Sequence, residues 1–159
     1  MFGAAYYSGH TFPPLLAMRE VSVRILAWAD AEAEAMRIRD AVFVVEQGVP
    51  PEIERDEWDQ RSDHALALDR EGRVVGTGRL LPDGHIGRMA VLPEWRGLGV
   101  GGRILGSLMA RARETGMKRV VLNAQTHAAP FYARHGFVAF GDEFMEAGIP
   151  HVAMAYEIT

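Results

Sequence analysis

The chain has 159 residues and a net charge of −4, from 17 basic and 21 acidic residues; at roughly 150 residues per domain this is one domain, and it lacks the basic excess of a nucleic-acid binder. It is 48% hydrophobic and 24% charged, too apolar for disorder, and a chain this long buries about 70% of its unfolded surface. There is no cysteine, which excludes disulfides, thiolate zinc sites, iron–sulfur clusters and a cysteine nucleophile and fits a reducing cytoplasm, and no apolar run approaches the roughly 18 residues of a membrane helix.

Met1 to Ala17 is rich in aromatics and proline and carries no Lys or Arg. It is a poor match to a signal peptide and is expected to be an N-terminal extension without a role, leaving 18–159 as the single domain. Val21 to Leu26 alternates as a first strand. Asp30 is placed to cap a helix from Ala31 to Val45. Residues 48–63 read as a loop with one short helical turn. Glu46 to Asp63 holds seven acids and two bases, while the rest of the chain holds 14 acids and 15 bases. The negative excess therefore sits in this one segment. His64 to Asp69 and Arg73 to Leu81 form a hairpin about Glu71-Gly72, and Pro82-Asp83-Gly84 turns the chain into a strand from His85 to Leu92.

A helix then runs to Thr115, with Ile104, Leu105, Leu108, Met109 and Ala112 on one stripe. Gly116 is placed to end it in a left-handed cap. Val120 to Ala124 reads as a buried strand and Ala128 to His135 as a short helix. Phe137 to Phe140 and His151 to Ile158 are the last strands. The order β-α-loop-βββ-α-β-α-ββ is that of an α/β layered domain.

Arg96-Gly97-Leu98-Gly99-Val100-Gly101-Gly102 follows a strand and opens a helix. Glycines there admit close backbone approach, and free N–H groups at a helix start suit a phosphate or pyrophosphate. Arg96 adds a cation at the rim. The bland reading is a flexible turn with no ligand. A P-loop needs Gly-Lys-Ser/Thr, and Arg103-Ile104 stands there instead. Gly97, Gly99 and Gly102 satisfy G-x-G-x-x-G, but Val121-Leu122-Asn123-Ala124 lacks the acid a dinucleotide fold places after its next strand.

Arg96 to Gly101 resembles R/Q-x-x-G-x-G/A, the acyl-CoA pyrophosphate signature of the GNAT N-acetyltransferase superfamily. Met89 to Trp95 resembles the strand and loop leading into it. Asn123 with Ala129-Pro130-Phe131-Tyr132-Ala133-Arg134-His135-Gly136-Phe137 resembles the second motif. Val42 to Gln47 and Gly148 to Met154 resemble the ElaA-like branch. The resemblance spans Val21 to Ile158. It implies an α/β fold with a mixed, mostly antiparallel central sheet whose fourth and fifth strands splay, flanked by helices. It also implies acyl transfer from acetyl-CoA to an amine by direct attack, without a covalent enzyme intermediate.

On that resemblance, Met89, Ala90 and Val91 hold the acyl carbonyl and pantetheine through backbone N–H groups. Arg96, Gly97, Leu98, Gly99, Val100, Gly101 and Gly102 hold the pyrophosphate, and Phe131 lines the cofactor. Tyr132 is the general acid toward the leaving thiolate, and Asn123 contacts pantetheine or acceptor. Packing of Tyr132 beside Phe131 and Phe137 is the bland alternative. Glu46 is the candidate base or acceptor contact. His64, Glu143, Glu146 and His151 are further candidates, with His64, Glu146 and His151 also assigned to acceptor binding, and water remains open as the base. The acidic segment is expected to flank the acceptor and attract a cationic amine; a solvated loop is the alternative.

The six histidines show no zinc-binding spacing, and Asp56, Glu57 and Asp59 lack the calcium-loop glycine, so no metal is expected. The acceptor is a small-molecule or protein amine, with no nucleic acid and no membrane partner. Dimers are common among related folds, and a homodimer is left open. A non-catalytic acyl-CoA-binding module and a Rossmann-like NAD(P) binder are the alternatives.

Overall fold

Alternation in Ser22–Ala27 produces β1, which leads straight into α1, Trp28–Arg39. The computed structural model describes residues 20–159, so the predicted extension at Met1 to Ala17 lies outside the described residues. Helix α1 begins three residues before its expected start. Ala27 occupies the N-cap without a side-chain cap, and Asp30 sits in the first turn, where its charge complements the helix dipole. Trp28, Ala31, Ala35 and Ile38 share its buried face.

The helix was expected to stay regular to Val45. Instead Asp40–Glu46 widens into a π-helical segment. Three of the four residues Val42-Phe43-Val44-Val45 are β-branched and resist tight helical turns. The segment ends where the Gln47 N–H donates to Val42 O at 3.1 Å and the Val49 N–H to Phe43 O at 2.8 Å. The loop that follows holds α2 (Pro51–Glu54) and a 3-10 turn (Asp59–Arg61).

Strands β2 (Asp63–Leu68), β3 (Val74–Leu80) and β4 (Ile86–Val91) join β1 in an antiparallel sheet of order β1-β2-β3-β4. Every residue of β3 is buried, because helices cover both faces. On one face α1 packs on Leu66, Val74 and Ala90. On the other lies α3 (Val100–Glu114), whose Ile104, Leu105, Leu108 and Ala112 have no exposed surface. Helix α3 ends as predicted at Gly116, φ 82°. The Met117 N–H donates to Ala112 O and the Gly116 N–H to Arg113 O, the two bonds of a Schellman cap.

A second antiparallel sheet has the order β5-β7-β6, from β5 (Arg119–Gln125), β6 (Val138–Glu146) and β7 (Ile149–Glu157). Helix α4 (Ala129–Arg134) precedes β6. Strand β6 runs six residues past its expected end and β7 starts two residues early. The turn between them has positive φ at Ala147 (51°) and Gly148 (76°), the twist that closes a two-residue hairpin.

One β-bridge joins the two sheets. His85 bridges Val121 in parallel, and the Val121 N–H donates to Gly84 O at 3.1 Å. Gly84 makes the approach possible: it has φ 96°, and a Cβ there would lie 2.7 Å from Arg119 O. Beyond this pin no further β4–β5 ladder forms among the described residues. The two strands splay, as the family resemblance implies. Gly84→Ala should lower folding stability by about 1–3 kcal/mol from backbone strain, measured by urea denaturation.

Candidate functional site

The opening between β4 and β5 is shaped by a bulge. Thr77 pairs with Ala90 and Arg79 with Gly87, so Arg88 and Met89 together face Gly78. Arg88 has φ 48°. A bulge leaves one residue outside the ladder and re-aims its backbone groups. Asn123 and Gln125 follow Val121 along β5 as Gly87 and Met89 follow His85 along β4.

At the far end of β4 the chain turns through Pro93–Trp95 into α3. Gly99 is the N-cap, with φ 84° and no side-chain cap. The first N–H groups of α3 are thus left to solvent or a ligand. Gly97, Leu98 and Gly99 are exposed, and a Cβ on Gly101 would lie 3.4 Å from the Phe131 ring. Gly99→Val should lower folding stability by about 1–3 kcal/mol, because a β-branched residue resists that φ; urea denaturation measures it.

Arg96 is more engaged than the sequence implies. Its Nε donates to Val91 O at 2.9 Å, and its terminal nitrogens grip Glu46 at 2.7 and 2.8 Å. The hydrogen bonds and charge of Arg96 hold the Glu46 carboxyl below its usual range. A carboxyl held this way is a weaker proton acceptor than a free one. Two guanidinium N–H groups of Arg96 remain for an anion.

Tyr132 projects from α4 toward β4, half-buried. Its hydroxyl lies 3.8 Å from the Met89 sulfur, a weak acceptor. Among the described residues no stronger acceptor bonds it. Burial pushes its phenol up to about 12. Phe131 and Phe137 pack edge-on at 5.0 and 6.1 Å. Packing and an underused donor thus coexist in one side chain.

The opposite face of the second sheet gathers polar groups. Val120, Leu122, Ala124 and Met154 point into the core, so period two turns Asn123, Gln125 and His151 the other way. Asn123 pairs with Ala153 and Gln125 with His151. Gln125 Nε2 donates to Gln47 Oε1 at 2.9 Å, which ties the end of the π-helical segment to β5. Asn123 Nδ2 reaches Glu146 Oε1 at 3.5 Å. Glu146 Oε2 lies 3.5 Å from His151 Nε2. Glu143 lies on the exposed edge strand β6, and nothing in the structure links it to this group. Gln47 and Gln125 were missed, although Gln125 stands two residues after Asn123 on the same face.

The acidic segment does not form the expected negative wall. Glu54, Asp56 and Asp59 turn inward to Arg39, Arg79 and Arg88. Arg39 Nε lies 2.5 Å from Glu54 Oε1, and Asp59 Oδ1 accepts from Arg39 and Arg79 at 2.8 Å each. Asp56 binds Arg79 twice, at 2.7 and 2.8 Å, and meets Arg88 at 3.2 Å. Arg88 Nε also donates to Glu54 O at 3.0 Å. Asp63 pairs with Arg111 at 3.0 Å and Glu46 with Arg96. Five of the seven acids are thereby matched by arginines from other elements.

His64 is also corrected. It is 1% exposed, bonds Asp59 O at 2.8 Å and packs on Trp28 at 4.7 Å. It props the cluster and does not reach the opening. Burial lowers its basicity. Burial pushes Asp56 and Asp59 up, but hydrogen bonds and charge from Arg79 and Arg39 outweigh it and hold both below the usual range. Both effects have one sign. The stability they supply is present above the unfolded values, about 6.5 for His and 3.9 for Asp, and is lost on acidification. Melting temperature should fall below about pH 6.5, and His64→Gln should remove the first part of that fall.

Among the described residues no cluster of three acids or histidines could hold a metal ion, and no helix is long and apolar enough to cross a membrane. Two surface cavities of about 360 Å³ lie near Pro82 and Ser107; neither borders the bulge or Tyr132.

Comparison with known proteins agrees with this geometry. The family model described as an acetyltransferase (GNAT) domain matches residues 27–158. The chain is 43% identical over 125 residues to the uncharacterized N-acetyltransferase YjcF of Bacillus subtilis, covering 76% of this chain and 89% of that one. A crystal structure of an acyl-CoA N-acyltransferase from Pseudomonas aeruginosa superposes with a TM-score of 0.76 at 30% identity, covering 86% and 99% of the two chains. Escherichia coli ElaA gives a TM-score of 0.74 at 29% identity with the same coverage. Splayed strands, a glycine-capped helix between them and these matches have one explanation: the chain belongs to the GNAT family of N-acetyltransferases.

Proposed function

We propose that this protein transfers the acetyl group of acetyl-CoA to a primary amine by direct attack within a ternary complex. The observation that carries the reading is the β4–β5 opening, where the Tyr132 hydroxyl meets Met89 of the Arg88–Met89 bulge and β4 leads on to the uncapped start of α3. The α3 N–H groups take the pyrophosphate. Backbone N–H groups at Met89 and Ala90 take the thioester oxygen, a contribution of about 2.7–4 kcal/mol in comparable oxyanion sites. Tyr132 donates to the departing sulfur.

A phenol at about 12 is a weaker acid than an ordinary thiol, about 8.5 for cysteine, and so a reluctant proton donor to the departing thiolate. Tyr132 therefore stabilises the thiolate chiefly as a hydrogen-bond donor, with proton transfer completing as sulfur departs. The acceptor enters on the other face, past Asn123 and Gln125. Nothing in this arrangement requires a metal, and the enzyme works in the cytoplasm, where acetyl-CoA is available.

The test is thiol release from acetyl-CoA across a panel of primary amines. The reading expects amine-dependent release with a matching acetylated product. Acetyl-CoA binding without release for any amine would make the chain a binding module instead.

A further inference from the structure

We propose that Glu146 and His151 together form the proton-accepting pair for the acceptor amine, with Glu146 holding the ammonium and His151 Nε2 receiving its proton. This rests on the transferase reading above and names the base that reading leaves open.

The argument begins with the imidazole. His151 Nδ1 lies 2.6 Å from Ile149 O. A carbonyl can only accept, so Nδ1 carries the proton and Nε2 of the neutral ring holds the lone pair. That nitrogen faces Glu146 Oε2 at 3.5 Å. His151 is 8% exposed at its side chain and Glu146 is 50% exposed. The carboxylate thus meets the acceptor, and the imidazole stands behind it. Phe144 stacks on the ring at 5.9 Å and 22°, which fixes its plane. Asn123 reaches the other carboxylate oxygen, placing the pair beside the strand that walls the opening.

The surroundings single out this pair. The β5 side chains beside His151 are neutral, Asn123 and Gln125. Arg119, at the far end of β5, pairs with Glu157. On β6 the ionisable groups are Asp142, Glu143 and Glu146, and Glu146 is the one that contacts the ring. His127 lies in the turn after β5. Glu46 is held by Arg96 and His64 is buried against Trp28.

The proton count balances. One ammonium proton passes by way of Glu146 to His151 Nε2. The freed lone pair forms the C–N bond, and the C–S bond breaks with its electrons leaving on sulfur. A second nitrogen-bound proton is lost to solvent as the amide forms, and Tyr132 gives its proton to sulfur and regains one from solvent. His151 then returns its proton to solvent.

The experiment compares wild type, His151→Gln and Glu146→Gln. Phenethylamine is an ammonium at neutral pH and aniline is a free amine. With phenethylamine at pH 7, kcat/KM of each variant should fall about 100-fold, and the rise with pH that remains should follow the free-amine fraction. With aniline the loss should be far smaller, and acetyl-CoA affinity should hold in all three. Unchanged kcat/KM with phenethylamine, or equal losses with both amines, would overturn the pair. Wild type that releases no thiol with any amine would overturn the transferase reading itself. Glu146 is half exposed, so its variant keeps the test open should His151→Gln fail to fold.

Discussion

Asp59→Ala is expected to cost about 3–5 kcal/mol of folding stability, the usual penalty for stranding a buried charge. Asp59 is 1% exposed and accepts from both Arg39 and Arg79. Its removal leaves two buried guanidinium groups short of a partner, and Arg79 Nε already lacks one. Total stability for a domain is about 5–15 kcal/mol, so the loss is a large share. Urea denaturation measures it, and a loss under about 1 kcal/mol would show that solvent reaches the cluster. The consequence extends to the β4 bulge. The same cluster holds Arg88, the bulge residue with φ 48°, through Glu54 and Asp56. Milder variants such as Asp56→Asn should therefore disturb catalysis before they unfold the chain.

Tyr132→Phe should lower turnover by about 10²–10³-fold and leave acetyl-CoA affinity nearly unchanged. The ring still packs on Phe131 and Phe137, so the substitution removes the donor and little else. Steady-state kinetics with calorimetric binding separates the two effects. The pH dependence follows from the phenol's value of about 12. Tyr132 stays protonated through the ordinary alkaline range, so no loss of activity below about pH 11 should trace to its ionisation. Wild-type turnover in the variant would return Tyr132 to packing.

The fold was largely legible because its signals are local. The Ile104–Leu105–Leu108–Ala112 stripe and Gly116 located α3 and its cap. The glycines from Gly97 to Gly101 located the exposed loop and the uncapped helix start. The less legible features depend on partners distant in sequence. The bulge at Arg88 is set by pairing across β3, and the π-helical turn by a clash of regular winding with a β-branched run. The acidic segment was misjudged for the same reason. Counting charges from Glu46 to Asp63 gives a negative loop, but the neutralising arginines come from α1, β3, β4, α3 and the turn before α3. A one-dimensional count cannot see that Arg39 and Asp59 share a buried hydrogen bond. Beside Asn123, the carboxylate within reach is that of Glu146 on β6.

The central claim is that the β4–β5 opening and the start of α3 bind an acyl-CoA through its pyrophosphate. Calorimetric titration of CoA and of pantetheine, which lacks the pyrophosphate, tests it most directly. The account predicts CoA binding in the micromolar range, at least about 100-fold weaker binding of pantetheine, and loss of the difference in Gly99→Val. Equal affinity for the two ligands, or no CoA binding at millimolar concentration, would contradict it.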